Sequence, residues 1–126
     1  MSVGHDHHNI TAIGKDPGDM ALCVNRIAEL GGGAVIAEGG RILYELPLPI
    51  CGLLATMPGQ EAATLLAEMQ KYLRSQGCRM ASPFMSLSFT TLSIPDYAIT
   101  DKGLIDCHTL SIADPVIQWI SSDPAH

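Results

Sequence analysis

The residues best suited to chemistry lie together near the start of the chain, in Ser2-Val3-Gly4-His5-Asp6-His7-His8-Asn9. Imidazoles at 5, 7 and 8 with a carboxylate at 6 can ligate a metal, relay protons or grip a polar ligand. In an extended backbone His5 and His7 point to one side and Asp6 and His8 to the other. A histidine-rich stretch near a chain end is also commonly no more than a solvated segment. Residue type alone leaves both readings open.

The other candidates are weaker. Gly31-Gly32-Gly33 follows a helical pattern, whereas phosphate-cradling glycines precede a helix, so a helix stop is expected. Ser86 and Ser88 have no histidine nearby in sequence to activate them. His108 beside Asp106 and Cys107 reads as a surface histidine. Cys23, Cys51, Cys78 and Cys107 are spaced 28, 27 and 29 apart with no close pair, which suits reduced thiols better than a zinc site. Outside the histidine-rich segment the residues thus mark no catalytic group and no metal-ligand set.

Positioning the histidine segment requires a folded body, and the chain has the material for one. It has 126 residues, of which 47% are hydrophobic and 16% charged. Such a length suits one domain, 1–126, burying roughly two thirds of its unfolded surface. The net charge of −6 with only 7 basic residues leaves no footprint for nucleic acid or an anionic membrane. No apolar run reaches the ~20 residues of a membrane-spanning helix, and the polar first residues do not form a secretory signal. A soluble, cytoplasmic protein is the expectation.

Along the chain, Ile10–Ile13 reads as a short strand closed by Gly14. Asp16-Pro17 then opens a helix with Asp16 as N-cap and Met20, Val24 and Ile27 on one face. Ala34–Ala37 and Arg41–Leu46 flank Glu38-Gly39-Gly40 and read as an antiparallel hairpin. Leu46-Pro47-Leu48-Pro49 is an extended crossing. Gln60–Gln76 predicts a second helix, its apolar face Ala62, Leu65, Leu66, Met69 and Leu73, stopped by Gly77. Phe84–Leu92 reads as a strand entered through Pro83, and Ile94–Tyr97 as a turn. Ala98–Thr100, Asp101-Lys102-Gly103 and Leu104–Asp106 suggest a short pairing element or an ordered loop, and the last residues, past Trp119, are expected to fray. The sum is an α+β fold, two main helices packed on a largely antiparallel sheet.

Five segments resemble, in order and with compatible spacing, the carboxy-terminal domain of adenine deaminases of the amidohydrolase superfamily. They are SVGHDHHNI at 2–10, DMALCVNRIAELGGG at 19–33, ELPLPICGL at 45–53, PFMSLSF at 83–89 and TDKGLIDC at 100–107. The family's first segment usually reads S-x-A-H-D-S-H-N. Ser2, His5, Asp6, His8 and Asn9 match it, while Gly4 replaces alanine and His7 replaces serine. The resemblance implies a hydrolase of purine metabolism that converts adenine and water to hypoxanthine and ammonia on a metal-loaded barrel. There a divalent metal (Mn, Fe or Zn) acidifies water and a nearby acid/base moves protons to the leaving nitrogen. This chain has no room for such a barrel of roughly 200–250 residues, so no cofactor of its own is implied.

The expectation is therefore a domain that supports the barrel or its active-site mouth and is inactive alone. Its partner is an adenine deaminase catalytic barrel, in cis or in trans, with a homo-oligomer as a further option. His5, Asp6, His8 and Asn9 are the substrate-proximal candidates. The competing readings are a stand-alone small-molecule or metal-binding module, and a structural oligomerisation domain.

Overall fold

The computed structural model describes residues 1–4, 9–92 and 96–115. Its elements run α1 (Pro17–Glu29), β1 (Gly33–Glu38), β2 (Arg41–Pro47), α2 (Gly59–Ser75), α3 (Pro83–Phe89), β3 (Tyr97–Thr100), β4 (Gly103–Asp106) and β5 (Ser111–Ile112). Contacts divide the chain into two compact units, residues 1–90 and 91–126, treated separately below. All strand pairs are antiparallel and helices coexist with two separate sheets, so the fold is α+β.

The first unit is built on the β1–β2 hairpin. Gly39 and Gly40 both take positive φ, 61° and 74°, as a two-residue turn of the primed type demands. The turn is held from outside. The Asp19 carboxylate, in the first turn of α1, accepts from Gly39 N–H at 2.9 Å and Gly40 N–H at 2.7 Å. Pairing runs from Glu38↔Arg41 to Gly33↔Pro47, with Leu43 left over where Ile36↔Tyr44 is followed by Ala37↔Ile42. That extra residue is a bulge, and Leu43 stays largely exposed.

Strand alternation gives the hairpin two working faces. Ala34, Ile36, Tyr44 and Leu46 share one, and there Met69 of α2 is completely buried. Leu65, Tyr72 and Leu73 of α2 and Phe84 and Leu87 of α3 pack against the same cluster. Tyr44 and Tyr72 lie with ring centroids 5.5 Å apart at 47°, and Tyr72 Oη donates to the Glu38 carboxylate at 2.9 Å. The opposite face carries Glu45, which holds Arg26 of α1 through two nitrogens at 2.8 and 3.1 Å. Ile27 of α1 is 1% exposed. The hairpin thus lies between α1 on one side and α2 with α3 on the other.

The helix ends behave as their sequences require. Asp16 caps α1 by accepting from Asp19 N–H at 2.8 Å, with Pro17 in the first turn. At the far end Gly31 N–H bonds Ala28 O and Gly32 N–H bonds Ile27 O, and α2 ends in the same pattern through Gly77 and Cys78. These paired bonds satisfy carbonyls that a helix terminus otherwise leaves open.

Three expectations are corrected. Phe84–Leu92 is not a strand, since Pro83–Phe89 forms α3. Short apolar runs fit either period. Here the helix places Phe84 and Leu87 together on the core, and Pro83 occupies the first turn, where a missing N–H costs nothing. Ile10–Ile13 is not a strand either. Only Thr11 is paired, to Met1, and Ile13 is 79% exposed. In α2 the stripe is centred on Leu65, Met69, Tyr72 and Leu73, and Leu66 lies off the core cluster.

In the second unit Tyr97–Thr100 and Gly103–Asp106 form the expected pair, joined by Asp101-Lys102, and β5 adds to β4. Thr100 Oγ1 accepts from Lys102 N–H at 3.1 Å and donates to Gly103 O at 3.0 Å, which closes the turn. Of the turn expected at Ile94–Tyr97, Ile94 and Pro95 lie outside the described residues and Tyr97 opens β3; the tail with Trp119 also lies outside them.

Met69 sets the first prediction. Met69→Ala should cost about 2–5 kcal/mol in urea unfolding, as for other fully buried large side chains, and Leu66→Ala clearly less. Equal losses at the two positions would mean that α2 is rotated about its axis.

Candidate functional site

Of the candidate residues, His5, Asp6 and His8, together with His7, lie outside the described residues. Asn9 is described and exposed. What the structure places firmly is the two ends of this segment. Met1 and Thr11 exchange hydrogen bonds: the Met1 nitrogen donates to Thr11 O at 2.8 Å, and Thr11 N–H donates to Met1 O at 2.9 Å. Met1 and Thr11 are therefore held side by side.

Next to Met1, Ser2 is buried at 5% exposure. Its N–H donates to Gly33 O at 2.9 Å. Its hydroxyl accepts from Gly33 N–H at 2.8 Å and donates to Gly52 O at 2.8 Å. One serine thus ties the start of β1 to the loop after β2. The approach is close enough to exclude side chains. A Cβ on Gly32 would stand 2.3 Å from Gly52 Cα, and one on Gly33 would stand 2.4 Å from Leu46 O. Gly32 O also accepts from Leu48 N–H at 3.0 Å.

The loop after β2 turns tightly at Ile50–Leu53, where Cys51 and Gly52 take φ of 56° and 74°. Ile50 and Leu54 bridge each other there. Cys51 is exposed, whereas Cys23, Cys78 and Cys107 are half-buried. Burial is the first cause holding the Cys23 thiol above its usual pKa, so that sulfur stays protonated. Between this loop and the end of α1 is a concavity of about 210 Å³, lined by Ser2, Ile10, Ala28, Gly31, Cys51 and Gly52 among others. None of the described lining residues is charged.

Charges gather elsewhere. Arg26 bonds Glu45 and also Glu29, and these bonds raise its pKa and lower that of Glu45. The pair is about one third exposed on each side, so it orients α1 more than it stabilises it. In the second unit Asp106 accepts from His108 N–H at 2.8 Å and Thr109 N–H at 3.1 Å, and these backbone donors lower its pKa. The His108 ring does not join Asp106 but bonds Asp96 at 2.8 Å, which raises the imidazole pKa. Both side chains are largely exposed, at 75% and 81%, in keeping with a surface histidine. Among the described residues no three His, Cys, Asp or Glu side chains lie close enough to hold a metal ion. Among them, too, no helix is long and apolar enough to cross a membrane.

Sequence reasoning named Ser2 only as a match to the family's first segment and gave Gly52 no role of its own. The signal for them was indirect, since both fall inside segments quoted above for their family resemblance, SVGHDHHNI and ELPLPICGL. A model of the adenine deaminase C-terminal domain matches residues 1–111. Among curated proteins, an adenine deaminase of Kosmotoga olearia is 46% identical over 106 residues, 83% of this chain and 18% of that protein. One of Methanococcoides burtonii is 39% identical over 117 residues, 92% of this chain and 20% of that protein. One of Methylobacterium sp. strain 4-46 is 44% identical over 112 residues, 88% and 20% respectively. The chain spans about a fifth of the length of the curated relatives it matches.

Two predictions come from this geometry. Ser2→Ala leaves Gly33 N–H and Gly52 O buried without their partner, at a cost of about 1–3 kcal/mol in denaturant unfolding. A loss below about 0.5 kcal/mol would mean that water replaces the hydroxyl without penalty. His108, with its pKa raised, binds its proton more tightly folded than unfolded. Its contribution to stability is complete below its ordinary value of 6.5 and is lost as pH rises through the folded value. The NMR titration midpoint of His108 should exceed 6.5 and drop in Asp96→Asn; a midpoint unchanged by that substitution would contradict the pair.

Proposed function

Since the chain belongs to the adenine deaminase C-terminal domain family, we propose that it serves a deaminase barrel, supplied in cis or in trans, which converts adenine and water to hypoxanthine and ammonia. In this reading His5, Asp6, His8 and Asn9 form a polar edge at the mouth of the barrel's active site, and the protein works in the cytoplasm. A divalent metal, Mn, Fe or Zn, bound in the barrel supplies the acidified water. This chain's own residues orient and exclude. The observation that carries the reading is the family match over residues 1–111, which includes the segment 2–10 that the Met1–Thr11 bonds and the Ser2 hydroxyl hold to the body.

The chemistry asked of that edge is modest. A carboxylate between imidazoles can accept and return a proton, or hold a polar substrate edge by hydrogen bonds, near neutral pH. Neither role needs a metal ligand in this chain. Segments held at both ends lose less entropy when their side chains engage a partner, which favours a fixed contact. His7 stands where the family has serine, so it is not needed for this role.

The test has two parts. The purified chain alone should form no hypoxanthine from adenine with added Fe²⁺, Mn²⁺ or Zn²⁺, and metal-dependent product above background would refute its dependence on a barrel. In a full-length relative carrying this segment, the counterparts of Asp6→Ala and His8→Ala should each lower kcat/KM at least tenfold, about 1.4 kcal/mol. His7→Ser should leave it nearly unchanged. Wild-type kinetics in both the Asp6 and His8 variants, with the protein folded, would return the segment to a structural role.

A further inference from the structure

We propose that the uncharged concavity between the end of α1 and the Ile50–Leu54 turn is where an apolar side chain of the remaining deaminase polypeptide docks, an inference that rests on the family reading above. The floor is backbone. Gly31, Gly32 and Gly52 contribute no side chains, and at Gly32 the packing leaves no room for one. The Ser2 hydroxyl below is already engaged by Gly33 and Gly52, so it has no unmet polar demand to select a polar ligand.

The walls are apolar and open. Ile10 is 41% exposed, and Ala28 and Cys51 are exposed at the rim. Beyond Cys51, Ile50 and Leu54 are 46% and 61% exposed, extending the apolar surface along the turn. Large apolar residues grouped on a surface rather than scattered mark a contact site. The volume, about 210 Å³, falls below the roughly 300–1,000 Å³ of pockets that enclose small molecules. It suits one large side chain inserted from a facing surface.

Two facts select the occupant. The relatives carry about four fifths of their length outside the region this chain matches, so a large polypeptide is available to cover the surface. Net charge of −6 on the chain argues against a second copy as the occupant.

Cys51 provides the readout, with the three half-buried thiols as internal references. N-ethylmaleimide labelling is followed by mass spectrometry for this chain and for a chimera in which it replaces the matching fifth of the Methanococcoides burtonii relative. Cys51 should label rapidly in the chain at any concentration and at least tenfold more slowly in the chimera. In parallel, a cysteine placed in the whole Kosmotoga olearia relative at the position aligned with Ala28 should label only after denaturation; this decides the matter if the chimera does not fold. Rapid labelling of either thiol in a folded, active protein overturns the proposal. So does protection of Cys51 in the chain alone that grows with concentration, because the occupant is then a second copy. If Cys51 is protected while the Asp6 and His8 variants keep wild-type kinetics, the docking surface stands and the active-site reading falls.

Discussion

The first unit depends on a backbone crossing at which three stretches of chain meet with only the Ser2 side chain between them. Gly32 and Gly33 leave α1 there, Gly52 passes against them, and Ser2 fills the junction with one hydroxyl. Any Cβ at Gly32 or Gly33 would collide with backbone, which cannot move aside as a side-chain tip can. Because the backbones are so close, their polar groups are shut off from water and must be paired internally. The Ser2 hydroxyl does this by accepting from one stretch and donating to another. Position and polar satisfaction are thus set by the same atom.

From that crossing the hairpin is aimed between its two helical layers. The Schellman end of α1 delivers the chain into β1 with its alternation already phased, so Ala34 and Ile36 meet Met69 while Glu45 meets Arg26. Asp19 fastens the other end of the hairpin at its glycine turn. The hairpin is consequently held at both ends by α1, and along its length by burial against α2 and α3. Two strands alone are marginal in water. Here helices on both faces remove that weakness, which explains why a two-stranded sheet suffices.

The proposed function and the proposed docking surface would divide the labour between them. The crossing that holds Ser2 also forms the floor of the uncharged concavity. Polar contact and apolar contact are offered side by side, the pattern by which a polar rim and an apolar core share one interface. Under the proposed function such a domain would contribute by position, toward a reaction whose metal is held elsewhere in the polypeptide.

The hairpin, both long helices and their caps were legible in the sequence because each rests on local chemistry: Asp16-Pro17 before an apolar stripe, Gly39-Gly40 between β-type runs, Gly77 after a helical face. The histidine segment was legible by type and by family pattern, though its own placement lies outside the described residues. Phe84–Leu92 was misread because alternating apolar and small residues over so short a run satisfy the strand period and the helix period alike. Only contact with the Met69 cluster favours the helix. The same contact chose Leu65 over Leu66 as the inner residue of α2. Ser2 and Gly52 could not have been joined from sequence, since fifty positions separate them and neither is unusual in its own neighbourhood. The sequence by itself determined where the chain turns and starts its helices, because those choices are made within a few residues. Tertiary structure alone decided which backbones touch, because that depends on the absence of side chains at places distant in the chain and close in space.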